Sequence, residues 1–368
     1  MKTIRRALVV APYGIGDLLF VTPVLRALRL LPGIERVDMI LGSRTEKVIR
    51  SNPHVDDLFP IDKDRFHQRS LWKNLAEIFS LTRILQSRHY DLLLDYSQRP
   101  EYGFWAKFFL RIPVRSGFQY KRSGLFLTHK TSTAEGFTGK SVVHFFCEAA
   151  EKAGVRVEDR FLEFYVTDQD RIEAETFLTQ YGLSLKDDYA VISPGGGESW
   201  GRDAHFKRWP ADHFASLFNQ VKLRIGVSQV LILGSAGEKT LAEQLCKKLE
   251  IKAVNLAGAC SINVSAAILG KAQCFIGNDG GLVHMAHAFQ IPVVAFYGPV
   301  DPGVYGPFPE NPRAVSIFKE GLECRPCYQR FRYNSACIHR DCLQALSVEE
   351  AVQMLDQKKW FQTLETAR

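Results

Sequence analysis

Gly277–Pro302 reads GNDGGLVHMAHAFQIPVVAFYGPVDP, and its residue types pass from a turn to a helix to a strand. The apolar run Cys274–Ile276 ahead of it has strand character. Asn278 or Asp279 then supplies a helix cap, and Gly280 and Gly281 leave the backbone bare over the first turn. A helix that starts there presents several N–H groups without intrahelical partners to the space above the strand. Those amides and the positive end of the helix dipole suit an anion such as a phosphate. Ile291–Tyr297 is a short apolar run of the buried parallel-strand kind, closed by Gly298-Pro299. The stretch is therefore expected to form one β-α-β unit with an anion site at its turn.

The same alternation runs outward in both directions. Ala7–Val10 reads as a buried strand, followed by the turn Ala11–Gly16 and a helix from Asp17 to about Leu31, in which Pro23 predicts a kink or a restart. Val37–Leu41, Leu58–Ile61 and Leu92–Leu94 read as further strands. Leu71–Leu85 is amphipathic, Phe104–Leu110 is a helix with an aromatic face, and Gly117–Lys140 is loop-rich and basic. Beyond Arg156–Asp188 the pattern repeats, with strands at Tyr189–Ser193, Val230–Leu233 and Val254–Leu256 before the opening stretch. The capping-box sequence Ser347–Glu350 starts a last helix. This predicts an α/β protein with a domain over residues 1–170, a second over 171–345, and a terminal helix in 346–368 that packs back on the first.

Composition narrows the class. Hydrophobic residues make up 46% of the 368 and charged residues 24%, the balance of a globular protein. No apolar run approaches the roughly 18–20 residues of a membrane span. The basic-then-apolar N-terminus leads into a glycine turn instead of a cleavage site, so it reads as a first strand and the protein as cytoplasmic. A net charge of +7 is too mild to imply nucleic acid, and no nucleic-acid-binding motif is present. It suits an anionic substrate or an anionic membrane surface. The apolar face of Leu71–Leu85 serves either the core or peripheral contact with such a membrane.

Five constellations carry chemistry. Gly14-Ile-Gly16-Asp17 puts a carboxylate at a helix start on the carboxyl edge of a sheet, where it is either a cap or a general base. Leu19 stands where a dinucleotide fingerprint needs glycine. Pro194–Gly197 is a glycine loop, and Lys207 and Arg208 follow it either as cations suited to a departing diphosphate or as two solvated basic residues at a loop. His284 lies one turn inside the helix of the opening stretch, within reach of an anion, and His287 reads as a packed or exposed residue of that helix. Cys324, Cys327, Cys337 and Cys342 leave three readings open: reduced thiols, a zinc site or a labile disulfide. Lys63, Arg65, Arg69, Lys121, Arg122, His129, Lys130 and Lys140 form a basic set that either holds a phosphorylated acceptor or faces solvent.

Taken together, Gly14–Leu28, Ser51–Asp62, Pro194–Pro210, Ile232–Glu238 and Asn278–Pro302 resemble, in this order, the heptosyltransferases of glycosyltransferase family nine. The resemblance implies a GT-B architecture, two Rossmann-like domains facing a central cleft, with the acceptor on the first and the nucleotide-sugar on the second. It implies inverting transfer of a sugar, typically from ADP-heptose, to a lipopolysaccharide core-type acceptor, an anionic glycolipid at the inner membrane face. No cofactor and no metal are implied. By position, Asp17 would be the general base and Lys207 a contact to the leaving phosphates. Glu238 would bind the ribose, Asp279 would face the sugar, and Gly280, Gly281, Leu282 and His284 would cradle the diphosphate. Arg65, Arg69, Lys121 and Arg122 are the acceptor-side candidates. Gly280 and Val300 depart from the hydroxyl residues usual in the family. A different GT-B transferase, an epimerase and a non-catalytic nucleotide-sugar-binding protein are the alternatives.

Overall fold

The structure, a computed structural model, describes residues 3–62, 71–197, 200–307 and 311–365, with the backbone alone at 71–75, 202 and 365. It divides into two compact units, Met1–Tyr165 and Val166–Arg368. Each is built on one parallel six-stranded sheet.

In the first unit the strands are β1 (Arg6–Ala11), β2 (Arg36–Gly42), β3 (Asp57–Ile61), β4 (Leu92–Asp95), β5 (Val114–Gln119) and β6 (His129–Ser132). They lie in the order β3-β2-β1-β4-β5-β6, all parallel, the Rossmann order. β1 and β4 are central, and Ala7–Ala11 and Leu92–Asp95 are buried throughout, as a strand covered on both faces requires. The first helix runs unbroken from Ile15 to Arg29 despite Pro23. A proline there leaves the Leu19 carbonyl without its helical donor. The Thr22 hydroxyl takes that place, donating to Leu19 O at 2.7 Å while accepting from Glu163 N at 3.0 Å. The helix thus does not restart at Pro23, and a neighbouring side chain satisfies the exposed carbonyl. The basic loop expected over Gly117–Lys140 contains the end of β5 and all of β6. Their short, mixed sequences, VRSGFQ and HKTS, carry too few apolar residues to signal strands.

The second unit repeats the plan with β7 (Tyr189–Ser193), β8 (Gln229–Ile232), β9 (Lys252–Asn255), β10 (Cys274–Asn278), β11 (Val293–Phe296) and β12 (Ala314–Ile317). The order β12-β11-β10-β7-β8-β9 is the same winding, with β7 and β10 central. The opening β-α-β reading holds, with β10, a helix over Gly281–Ala288 and β11 paired in parallel. Trp209 is the pivot of the core. It stacks on Phe296 at 4.1 Å and donates from its indole to Leu346 O at 2.9 Å. The helices Val348–Gln357 and Trp360–Glu365 belong to the second unit. Leu355, Trp360, Phe361 and Leu364 share one apolar cluster with Ile192, Phe218 and Val315. Their apolar stripe already had a partner in the Ala211–Ile225 helix.

Trp360 is fully buried in that cluster. Trp360→Ala is expected to cost about 3–5 kcal/mol in denaturant unfolding, the scale of a large aromatic truncated in a core. A loss near zero would mean the terminal helix is not part of the core.

Candidate functional site

Parallel sheets of this order hold ligands outside the carboxyl ends of the central strands, where the winding reverses. In the second unit those ends are Ser193, leading into Pro194–Gly197, and Asn278, leading into Asp279–Gly281. Asn278 ties the two loops together. Its amide donates to Pro194 O at 2.6 Å and its carbonyl accepts from Trp209 N at 2.9 Å. One buried side chain therefore positions both the glycine loop and the segment that carries Lys207.

Gly280 is the N-cap of the Gly281–Ala288 helix and has extended backbone. A Cβ at this position would lie 2.6 Å from Gly196 O and 2.9 Å from Gly196 C. Glycine is present because two backbones touch, and a hydroxyl-bearing residue has no room there. The N–H groups of Gly281 and Leu282 precede the first bond of the helix, Val283 N to Gly280 O at 3.1 Å.

The charged centre of this site is an ion pair. Lys207 Nζ lies 2.6 Å from Asp279 Oδ2, and both residues are buried. The ammonium also sits 5.1 Å over the Trp200 ring, which stacks on Tyr333 at 4.3 Å. Arg208, expected to act beside Lys207, turns away. Its Nε donates to Gly195 O at 2.8 Å and its guanidinium stands 3.7 Å from Glu238. Glu238 is buried and accepts from Gly197 N at 2.9 Å and Ser235 N at 2.8 Å. A Cβ at residue 195 would lie 1.9 Å from Glu238 Oε1, so that glycine admits the carboxylate.

Burial pushes the His284 imidazole down to about 4, with Asp279 pulling against that and Lys207 adding to it. It is neutral at physiological pH and offers hydrogen bonding without charge. His287 is buried and lies at about 3, for the same first reason and then because of His284, with Asn311 3.2 Å from its Nδ1. It is a packed core residue.

A residue outside the expected set closes this edge. Arg325 donates to Gly298 O at 2.8 Å and to Val300 O at 3.2 Å, while Cys327 N and Tyr328 N both donate to Pro299 O at 3.0 Å. The cysteine-bearing segment is thus a brace for the turn after β11. Its four thiols are unbridged, and no group of three His, Cys, Asp or Glu residues among the described residues is arranged to hold a metal.

In the first unit the central strands β1 and β4 end near Asp17 and at Asp95. Gly14, not Asp17, caps the first helix. Asp17 stands in the first turn, and its Oδ2 accepts from Gly14 N at 3.2 Å. Tyr13 donates to Ser97 O and has its hydroxyl pKa raised by burial, then by Asp17, with Asp95 adding to that. Asp95 is buried and accepts from Ser97 N at 2.9 Å. Burial holds its carboxyl up to about 6. The sequence marked Asp95 only as a strand end; the reversal of strand order gives it a place beside Asp17. Lys121 and Arg122 follow β5 on the same edge and are exposed. His129 and Lys130 lie on β6, and Lys140 pairs with Glu148. Lys63, Arg65 and Arg69 lie outside the described residues.

Comparison with known proteins bears on the family and the fold. The family model of glycosyltransferase family 9 (heptosyltransferase) matches residues 78–336. Lipopolysaccharide heptosyltransferase 3 of Escherichia coli (strain K12) is 25% identical over 304 residues, 80% of this chain and 83% of its own. Among solved structures, a family 9 glycosyl transferase from Veillonella parvula superposes with a TM-score of 0.77 at 19% identity, covering 97% of this chain and 98% of the other. The E. coli ADP-heptose lps heptosyltransferase II superposes with a TM-score of 0.71, also at 19% identity, covering 98% and 99%. Both superpositions place this chain in the GT-B fold.

The Asp95 carboxyl yields a pH signature. Its folded-state value, about 6, lies above the ordinary 3.8. Its contribution to stability is therefore complete below the ordinary value and is lost as pH rises through about 6. The gap corresponds to about 3 kcal/mol at pH 7. In thermal unfolding, the midpoint of Asp95→Asn minus that of wild type should climb between pH 4 and pH 7. A flat difference across that window would contradict the assignment.

Proposed function

The chain belongs to glycosyltransferase family 9, and from that premise we propose that it moves a heptose from ADP-heptose to a lipopolysaccharide core-type acceptor, with inversion at the sugar carbon. The observation that carries this reading is the buried Lys207–Asp279 pair beside the helix start at Gly280–Leu282. That combination of an ammonium, helix N–H groups ahead of the first intrahelical bond and a closely packed glycine backbone suits a diphosphate. The sugar and the nucleotide come from the names of the relatives, whose ADP-heptose and lipopolysaccharide chemistry matches such a site.

In this mechanism Asp17 takes the proton of an acceptor hydroxyl as that oxygen bonds to the anomeric carbon. The bond from that carbon to the phosphate oxygen breaks, and ADP leaves with the electron pair. Lys207 and the amides of Gly281 and Leu282 stabilise the charge that accumulates on the diphosphate. His284, neutral, adds hydrogen bonding to the same anion. Asp279, released from Lys207, is free to accept from sugar hydroxyls, and Glu238 to accept from the ribose. Lys121 and Arg122, with Arg65 and Arg69, meet acceptor phosphates. The protein works at the cytoplasmic face of the inner membrane, with no nucleic-acid partner. The close contact at Gly280 accounts for the absent hydroxyl there, so that departure does not argue for another donor. Val300 still lacks a hydroxyl, the one observation that favours a different nucleotide-sugar. A thermal-shift panel of ADP-, UDP- and GDP-sugars decides this, because a ligand at 100 times its dissociation constant adds about 2.7 kcal/mol.

Turnover on ADP-heptose and a delipidated core acceptor tests the chemistry. Asp17→Asn should fall by about 10²–10⁴-fold, the range of a lost general base. Lys207→Ala should fall by about 10²-fold, the scale of one missing transition-state donor. Folded variants with near-normal rates would remove the residue concerned from the mechanism.

A further inference from the structure

The first unit carries an apolar face that its core does not use. The helix Leu71–Gln86 and the segment Pro100–Leu110 meet in one apolar cluster that holds Leu81, Leu85, Trp105 and Leu110. Trp105 Nε1 donates to Thr82 Oγ1 at 3.0 Å, and Gln86 Nε2 donates to Phe109 O at 2.8 Å. Their outward sides stay apolar. Phe79 and Leu125 are 63% and 66% exposed, and Phe104, Phe108 and Phe109 are about half exposed. The rings form one sheet of contacts: Phe104 meets Phe108 at 4.9 Å, Phe126 at 5.3 Å and Phe109 at 6.1 Å. Leu125 adjoins Phe126 in the chain. Phe79, Arg83 and Gln86 share one helical stripe, and Gln86 reaches the Phe109 carbonyl, so the stripe leads into the ring cluster. Aromatic groups exposed together in this way mark a contact surface.

Charge identifies the partner. Arg83 lies 5.6 Å over the Phe79 ring, and Lys107 Nζ lies 4.9 Å from Phe108 and 5.9 Å from Phe126. Arg111, Lys121 and Arg122 are exposed on the same segments. Against these five cations, the described residues 76–86, 100–111 and 120–127 hold two carboxylates, Glu77 and Glu101. The core of a protein–protein interface is depleted of charge. Here cations lie over the exposed rings themselves, an interleaving of apolar and cationic groups that suits an acyl boundary lined by phosphates. No helix among the described residues is long and apolar enough to cross a membrane, so such contact stays at the surface.

We propose that this face docks on the surface of an anionic lipid bilayer, with the rings of Phe79, Phe104 and Phe108 and the Leu125 side chain inserted and with Arg83 and Lys107 at the phosphate level. The surface would hold the chain where a lipid-linked acceptor lies, and in that purpose it rests on the transfer reading above.

The test is co-sedimentation of the full chain with vesicles of phosphatidylcholine alone and of phosphatidylcholine mixed with phosphatidylglycerol. Binding to the anionic vesicles alone, weakened by salt, is expected. Phe104→Ser/Phe108→Ser should reduce that partition at least about tenfold, and Arg83→Glu/Lys107→Glu should abolish the preference for anionic lipid. Both variants should keep the wild-type unfolding midpoint and the wild-type rate on a delipidated acceptor. Undiminished vesicle binding by the ring variant overturns the proposal, as does absence of wild-type binding. So does a concentration-dependent dimer that the ring variant dissociates, which would assign the face to a second copy. Wild-type vesicle binding without turnover would count against the transfer reading and leave the docking surface standing.

Discussion

A buried ammonium 2.6 Å from a buried carboxylate sets the terms for the second unit. Taking two charges out of water is costly, and the pair is tolerated only where geometry and further polar contacts offset the desolvation. The offset is visible in what surrounds Lys207 and Asp279. Asn278 fixes both loops through its two amide ends, Trp209 anchors the segment behind Lys207, and the Trp200 ring lies beneath the ammonium. Asp279 supplies the charge that Lys207 requires. An incoming anion must therefore outcompete a carboxylate already in contact, which favours ligands that bring more negative charge than one carboxylate does. A diphosphate meets that condition.

The β-α-β stretch was legible because its signals are local: an apolar run, a glycine turn and a second apolar run terminated by Gly-Pro. Other features depend on distance. Asp17 reads as a cap by spacing, yet Gly14 holds that place and Asp17 reaches back to its N–H. The sequence shows no reason for Gly280, because the reason is Gly196, far away in the chain. Asn278 was visible as a possible cap, but its clamp on Pro194 and Trp209 requires the strand order. Arg325 lies in a segment conspicuous for its cysteines, and the guanidinium between them gave no local cue. β5, β6 and β12 escaped for a different reason. They are short strands on the outer half of their sheets with mixed residues, so neither alternation nor a continuous apolar run marks them. The terminal helix was recognised from its capping box, but a box says nothing about where the helix packs.

The two units share one winding and differ in what they place at its reversal. The first sets two carboxylates there, Asp17 in a helix turn and Asp95 at a strand end. The second sets Lys207 against Asp279, together with helix N–H groups. Identical scaffolds thus present one edge suited to accepting a proton and another suited to receiving negative charge. The difference lies in a few side chains after the central strands, the part of this fold that can vary without disturbing the core.

The contact between Gly280 and Gly196 has an evolutionary consequence. Two loops that touch backbone to backbone cannot change independently. A serine or threonine at 280 requires the Pro194–Gly197 loop to retreat, and a retreat would strain the Asn278 clamp and shift the Gly197 N–H that holds Glu238. Residue 280 and the glycine triplet are therefore expected to co-vary in related chains, with a hydroxyl at the first accompanied by a differently built loop at the second. The bare cap and the triple glycine would be one inherited character, although more than eighty residues of sequence separate them.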